Sequence, residues 1–489
     1  MGKLILAVDQ STTATKAILF GERAELVGRC DIAHRQLHPQ PGWVEHDPLE
    51  IYANMVAAIR GVLAQTNASR CDVAVLSITN QRETTLIWDS DGNPVYNAVV
   101  WQCCRAKDIV KLPHIAARAD EIEQATGLKL SPYFSAAKAR WILDQAQARG
   151  PLFFGTMDSW LIYKLSGRHA TDSSNASRTQ LYNIHTLRWD ERLLELFGLQ
   201  SLRMPQVLDA DAVYGETTAE GLFEKPIPIA GVMGDAHGAL FGQHCWERGM
   251  GKATLGTGSS VMVNIGNMPL RSDNGLATSV AWSMCGRTEY VLEGNVICSG
   301  DTLKWLAEEL DILPSADKSL EYAGNVPSSQ GVYLVPAFAG LGAPHWDSEA
   351  RALICGLFRD ANKYHIVRAG LESIAYQARD VVDAMKRDAA MTLSELRVDG
   401  GPTSNPLLMQ FMADMLGTVI VKTELQELSA LGAAYAGGLA AGVWKSRNDI
   451  AALRRVSGEY RPSMPAAEVE ALYAGWTAAV RLAMRGDGL

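Results

Sequence analysis

At 489 residues the chain has room for roughly two to four domains of about 150 residues each, which excludes a single small module. Its 47% hydrophobic and 20% charged residues are the composition of a globular protein with sizeable cores and exclude extensive disorder. With 45 Lys+Arg against 54 Asp+Glu, the net charge of −9 gives no bulk positive field for nucleic acid or an anionic membrane, so any anionic ligand must be held locally.

Leu4 to Val8 is a short apolar run ending at Asp9, followed by the hydroxyl-rich turn Gln10-Ser11-Thr12-Thr13-Ala14-Thr15 and a second β-like run, Lys16 to Phe20. A third β-like piece at Glu25-Leu26-Val27 makes the opening an antiparallel meander, unlike the strand-then-helix start of a P-loop or dinucleotide-binding unit. The N-terminus has no long apolar core or small-residue cleavage site, so the mature chain is expected to start here. Ile51, Met55, Ile59 and Leu63 recur every four residues and predict a helix over 48–65, and Val73 to Ile78 predicts a strand. Such alternation points to an α/β architecture.

Near the middle, 226–235 reads as a strand ending at Asp235, followed by a helix over 239–245, with a domain boundary close to Gly249-Met250-Gly251. Beyond it, Lys252 to Leu255 leads into the small-residue turn Gly256-Thr257-Gly258-Ser259-Ser260 and out through Val261 to Asn264. The opening pattern is thus repeated, which predicts an internally duplicated, two-lobed protein with both turns facing a shared cleft. Further on, Val398-Asp399-Gly400-Gly401 is a strand running into a glycine turn and a helix over 407–416. Leu431 to Trp444 is apolar but shorter than the roughly 18 to 20 residues needed to span a bilayer, and is read as a buried helix. Eight cysteines without a Cys-x-x-Cys fit neither a zinc ribbon nor a disulfide framework, so the expected compartment is a reducing cytoplasm.

Tight turns of backbone N–H groups and hydroxyls suit phosphate oxygens, and both turns offer them, although Ser and Thr are also common in ordinary turns. Asp9 could organise a hydrated Mg²⁺ or cap its turn; Asp235 could accept a proton from an attacking hydroxyl or cap a helix. Arg82 and Glu83, in Thr79-Asn80-Gln81-Arg82-Glu83-Thr84-Thr85, could donate to and accept from substrate hydroxyls or form a surface ion pair. Trp101 and Tyr133 offer apolar faces against which the carbon-bound hydrogens of a polyol can pack, or belong to the core. His237 and His345, lacking a partner at metal spacing, are assigned hydrogen-bonding roles.

The ordered series Asp-Gln-x-Thr-Thr, Thr-Asn-Gln-Arg-Glu-Thr-Thr, Trp-Gln-Cys, Tyr-Phe-Ser, Gly-Asp, Gly-Thr-Gly and Asp-Gly-Gly resembles the FGGY carbohydrate kinases, most closely the members that act on glycerol. The likeness covers nearly the whole chain, including 41–48, 175–179, 336–344, 369–377 and 431–435. It implies two actin-like, ribonuclease-H-like lobes, over 1–246 and 247–489, that close over ATP and a sugar or polyol, with the last helix packing back on the first lobe. It also implies transfer of the γ-phosphoryl of MgATP to a hydroxyl of glycerol or a related polyol. In that scheme Asp9 organises Mg²⁺, Thr12, Thr13, Ala14, Lys16 and Thr257 stand at phosphate positions, and Gly300, Lys304, Gly401 and Asn405 at nucleotide positions. Asp235 is the base, and Arg82, Glu83, Trp101, Tyr133, Ala236 and Ser260 line the substrate pocket. Relatives are often dimers or tetramers, which leaves a homodimer or a homotetramer open.

Departures from the glycerol-acting pattern are Ala236, where Gln is usual, and Ser260, where an aromatic ring is usual. Both remove volume and the second adds a hydroxyl, so the expectation is a roomier, more polar pocket open to glycerol or to a four- or five-carbon polyol or ketose. Ser11 replaces a usual Gly, Ala14 a common Ser and Lys16 a usual Arg, keeping charge but losing the planar fork. The stretch 221–226 does not look like the glycine-rich, Arg-containing loop that binds fructose 1,6-bisphosphate in regulated bacterial relatives, so that control is not expected. A non-catalytic actin-like ATP-binding protein is the remote alternative. A dehydrogenase is disfavoured because no Gly-x-Gly-x-x-Gly follows the first strand.

Overall fold

The opening run of apolar and β-branched residues forms β1 (Leu4–Gln10), β2 (Ala14–Phe20) and β3 (Leu26–Ala33), in a computed structural model that describes residues 3–66, 68–146, 150–425 and 427–484. β1 is buried almost throughout, as a strand covered on both faces must be, whereas β3 alternates exposed and half-buried residues at the sheet edge. The amphipathic helix α1 (Pro48–Thr66) then returns the chain to β4 (Val73–Asn80), which lies parallel to β1. After a long insertion come β5 (Val213–Thr217) and β6 (Ile227–Gly234), completing a six-stranded sheet in the order β5-β6-β4-β1-β2-β3. The insertion carries four strands of a five-stranded sheet, built on Thr85–Trp88 and Leu152–Thr156 and completed by Glu45–His46 from before α1.

β6 passes straight into α2 (Asp235–Gly242). The helix thus begins at Asp235, four residues earlier than the sequence predicts, because Gly234 ends the strand and the acid starts the first turn, where it complements the helix dipole. The second half repeats the first. β7 (Met250–Leu255), β8 (Ser259–Gly266), β9 (Ala277–Met284) and β10 (Arg287–Val296) lead through α3 (Gly300–Glu308) and the long α4 (Lys363–Ala389) to β11 (Glu395–Asp399). α5 (Pro406–Leu416), β12 (Val419–Thr423), α6 (Leu428–Ala440), β13 (Val456–Tyr460) and α7 (Ala466–Met484) follow. The second sheet runs β9-β10-β8-β7-β11-β12-β13. In both sheets a hairpin and a third antiparallel strand lie on one side of a first strand, whose other side pairs in parallel with a later strand that itself pairs in parallel with another.

One consequence of the topology is that β1, β4 and β6 end together, with Asp9 beside Thr79 and Asn80 beside Gly234 in register. In the second sheet Thr254 is in register with Asp399. The lobes are joined at α6, which packs on α2 and on the face of the first sheet formed by β4, β6 and β1. Its approach to α2 is so close that a Cβ at Gly432 would lie 1.8 Å from the Gly238 carbonyl oxygen.

The last helix differs from expectation. α7 stays with the second lobe, where Trp476 stacks on Tyr376 at 5.2 Å and donates from Nε1 to Asp380 at 2.9 Å. The element that crosses to the first lobe is α6, which ends at Ala440, before Trp444. Among the described residues no helix is long and apolar enough to cross a membrane.

Candidate active site

The convergence of β1, β4 and β6 puts three charged or hydroxylated segments side by side. Asp9 is 5% exposed, and burial pushes its carboxyl up to about 6 even though Lys16, across the β1–β2 hairpin, stands 3.1 Å away; Asp235 and Glu427 add to the upward push. Lys16 also donates to Glu427 at 2.9 Å, which ties the first turn to the start of α6. In that turn Thr12 is half-buried and Thr13 exposed, and the Thr12 carbonyl accepts from His34 Nε2 at 2.9 Å and Gln36 Nε2 at 2.7 Å. Ala14 has no polar side chain to offer and opens β2.

Asp235, at the β6–α2 junction, keeps 38% of its side chain exposed, and Arg82 Nε lies 3.2 Å from its Oδ1. Arg82 and Glu83 are not a surface pair: they are 7% and 2% exposed. Arg82 donates through both terminal nitrogens to Glu293 of β10, at 2.9 and 2.8 Å, while Glu83 accepts from Arg178 Nε at 2.5 Å. Burial raises the cost of charge on Glu293, but Arg178 and Arg82 outweigh it and hold its carboxyl well below the usual range. Trp101 and Tyr133 meet edge to face at 5.6 Å, both half-buried, and Trp101 Nε1 donates to the Thr12 hydroxyl at 3.0 Å. Ala236 and Ser260 are half-buried, and the Ser260 hydroxyl lies 3.4 Å from Glu293 Oε1. These residues form one cluster spanning both lobes.

The second turn lies against the start of α3. Ser299 N and Asp301 N donate to the Thr257 carbonyl at 2.8 and 3.2 Å, and Gly300 N donates to the Gly256 carbonyl at 2.9 Å. A Cβ at Gly300 would come within 2.6 Å of the Gly256 oxygen and 3.2 Å of Pro402, so the α3 start, the second turn and the Asp-Gly-Gly turn share one small volume. Gly400, at φ +96°, has no room for a side chain, since a Cβ there would stand 1.9 Å from the Leu255 carbonyl oxygen. Lys304 and Gly401 are exposed on this surface. Asn405 is different: its amide oxygen caps α5 by accepting from Leu407 N and Leu408 N, and its amide nitrogen donates to Ser319, so its side chain is committed to the fold. His237 is buried with Nε2 at 3.1 Å from the Ser279 hydroxyl, and His345 lies 3.5 Å from Asp380.

Residues 4–242 match the N-terminal domain of the FGGY family of carbohydrate kinases, and residues 251–441 match its C-terminal domain. The chain belongs to this family. It is 46% identical to a glycerol kinase of Listeria monocytogenes over 490 aligned residues, covering 98% of this chain and 99% of the relative. It is 47% identical to a glycerol kinase of Symbiobacterium thermophilum over 490, covering 98% of each. Among solved structures it superposes on Plasmodium falciparum glycerol kinase with ADP at a TM-score of 0.92 and 32% identity, covering 99% of this chain and 98% of that one. The fold is therefore the two-domain, actin-like and ribonuclease-H-like fold of FGGY kinases, and the duplicated meander is its sequence imprint.

Three buried charges at the heart of this FGGY kinase receive no role from a reading of its motifs, although Arg178 lies within one of them. Glu293 sits inside the apolar strand Tyr290-Val291-Leu292-Glu293-Gly294, Arg178 inside Asn175-Ala176-Ser177-Arg178-Thr179, and Lys138 inside Ser135-Ala136-Ala137-Lys138-Ala139. A lone charge in an otherwise apolar or small-residue run was the available signal.

Proposed function

We propose that this kinase transfers the γ-phosphoryl group of ATP to a hydroxyl of glycerol, with Asp235 as the general base. The observation that carries the reading is the Asp235 carboxylate, held by Arg82 Nε at 3.2 Å yet 38% exposed, in the same cluster as Glu83, Trp101 and Tyr133. Full-length identity of 46% to proteins named glycerol kinase supports glycerol as the acceptor. Arg82 orients the Asp235 carboxylate, as a base must be oriented to take a hydroxyl proton. Glu83 and Arg82 orient the acceptor hydroxyls, and Trp101 and Tyr133 form the wall along the carbon chain. Because Trp101 also donates to Thr12, the acceptor wall and the first phosphate turn move as one piece, which suits a reaction limited by alignment.

Nucleotide phosphates are assigned to Thr12, Thr13, Ala14 and Lys16 on one side and to Thr257 on the other, with Gly300, Lys304 and Gly401 toward the base and ribose and Asn405 supporting that turn through its cap. Among the described residues no cluster of three or more His, Cys, Asp or Glu could cage a metal, so the donor set suits a hydrated Mg²⁺ held through Asp9 and phosphate oxygens. Asp9, buried and pushed toward the neutral form, with Asp235 and Glu427 adding to that push, would ionise readily beside such a cation. Bound there, Mg²⁺ would neutralise charge developing on the phosphates. Functionally, 1–246 carries the acceptor site and first turn and 247–489 the nucleotide site. All eight cysteines are free thiols, which supports a cytoplasmic enzyme.

A second reading rests on Ser260, whose hydroxyl faces Glu293 and makes that wall polar. It favours a tetritol, pentitol or pentulose. The deciding experiment is ADP release with glycerol, erythritol, the threitols, pentitols and ketopentoses, for the wild type and Asp235→Asn. Glycerol is expected to lead, and the variant to lose about 10²- to 10⁴-fold in turnover while still binding ADP. A longer acceptor in the lead would replace glycerol, and a fully active variant would remove Asp235 as base.

A further inference from the structure

Two carboxylates assigned above to the acceptor site, Asp235 and Glu83, are the ends of one chain of alternating charges. From Asp235 it runs 3.2 Å to Arg82 Nε, then through the paired terminal nitrogens of Arg82 at 2.9 and 2.8 Å to Glu293. From Glu293 it continues 3.0 Å to Arg178 and 2.5 Å from Arg178 to Glu83. Four members belong to the first half of the chain; the central one, Glu293, is on β10 of the second lobe. The Glu293 and Arg178 side chains are each 1% exposed.

A buried ion network of this kind is weak evidence for stability, since well-packed apolar residues of similar volume often serve as well. What apolar residues cannot do is aim a guanidinium. The fork of Arg82 on Glu293 fixes the plane of the group, and with it the direction in which Nε meets Asp235. On the other side Arg178, set against the same carboxylate, directs its Nε at Glu83, whose backbone sits at φ +60°, an uncommon conformation for glutamate that its surroundings must hold. Without the central carboxylate two neighbouring guanidinium groups would face each other uncompensated, and both would turn toward their remaining acids.

We infer that Glu293 is the positioning residue of the acceptor site: a carboxylate supplied by the second lobe that sets both arginines, so that Asp235 and Glu83 face the acceptor together only when the lobes are apposed. It acts through Arg82 and Arg178 and does not itself touch the acceptor. The inference rests on the reading of Asp235 and Glu83 given above.

The test uses the full-length enzyme and whichever acceptor the wild type turns over best. Glu293→Gln keeps the shape and removes the charge; Arg178→Lys keeps a charge and removes the fork. In Glu293→Gln the acceptor KM should rise about 10- to 100-fold, the scale of a lost charge-assisted hydrogen bond. The thermal shift produced by the acceptor should vanish, while the ATP KM and the ADP-induced shift stay as in the wild type. Arg178→Lys should change the same two acceptor readouts in the same direction. Equal losses for acceptor and nucleotide, or no loss for either, overturn the inference while leaving the kinase reading intact. If Glu293→Gln does not fold, Arg178→Lys decides by the same split. A wild type that turns over none of the acceptors overturns the functional reading and this inference with it.

Discussion

Lys138 shows how much a single residue can carry without touching a ligand. It is fully buried, and its ammonium donates to the carbonyl oxygens of Pro132 at 2.9 Å, Tyr133, and Phe134 at 3.3 Å, pinning the loop that presents Tyr133 to Trp101. Burial pushes the ammonium down to about 7, against the opposing pull of Glu83 and Cys103. Below that pH three N–H groups meet three carbonyls; above it the neutral amine has two, and its lone pair faces the third oxygen. The loop should therefore loosen as pH rises through 7. Accordingly the wild-type acceptor KM is expected to climb between pH 6 and 8 by more than that of Lys138→Met, whose KM starts high and lacks this step, with the ATP KM parallel in both. Steady-state kinetics across that range checks it, and identical pH profiles for the two proteins would remove Lys138 from the site. At this scale Arg82, Glu83, Trp101 and Asp235 are legible because they fall in the ordered motifs shared with the FGGY family; taken singly, each has an ordinary reading as an ion pair, a core aromatic or a helix cap. Lys138, Arg178 and Glu293 are not legible as site residues: Lys138 and Glu293 stand alone among apolar or small residues, Arg178 lies in the shared stretch 175–179 without a role there, and for Arg178 and Glu293 only partners from distant segments explain the charge.

Among the elements, α2 and α6 are set apart by what they lack. A Cβ at Gly432 would stand 1.8 Å from the Gly238 carbonyl oxygen, and one at Gly242 would stand 2.4 Å from the Leu428 carbonyl oxygen. The two helices meet backbone to backbone, and the obstacles are carbonyl oxygens that cannot swing aside as a side chain can. Gly432→Ala is thus expected to force the helices apart and cost about 1 to 3 kcal/mol or more, as overpacking does. Urea unfolding would measure it, and an unchanged midpoint would mean that the crossing is looser than described. Helix α6 also marks the limit of pattern reading. It is apolar all round, so the sequence reveals burial but offers no face with which to choose a partner. The helix with a stripe, α1, is placed by its periodicity, and α5 by the glycine turn before it. For α7 the assignment to the first lobe fails because Trp476 and Tyr473 have their partner, Asp380, on α4 of the second.

At the scale of the molecule, the boundary near residue 246 that the sequence suggests leaves each lobe a core of its own but cuts through a further buried cluster that the two share. Ile5, Ala7, Val75, Ala230 and Met233 of the first sheet share one buried cluster with Leu431, Ala434 and Tyr435 of α6 and with Met262, Trp282 and Val291 of the second sheet. Glu427 adds polar ties at the same place, accepting from Lys16 at 2.9 Å and Arg29 at 2.5 Å. The chain order of the two meanders makes the duplication legible, but a core assembled from segments more than 400 residues apart has no local signature. A fragment ending at residue 246 would expose the apolar face that α6 covers, and it would also lack Glu427, one of the two carboxylates facing Lys16. Burial at about 25 cal/mol per Å² is the main favourable term in folding, so a sheet stripped of one layer should fall below the few kcal/mol that hold a domain folded. Residues 1–246 expressed alone are therefore expected to aggregate or to melt without a sharp transition, and to recover one when 247–489 is supplied in trans. The intact chain, by the same reasoning, should unfold in one calorimetric transition, because neither lobe can lose α6 without the other registering it. A soluble 1–246 with a steep melt of its own, or two resolved transitions in the intact chain, would mean that each lobe holds a self-sufficient core and that the shared cluster contributes contact without cooperativity.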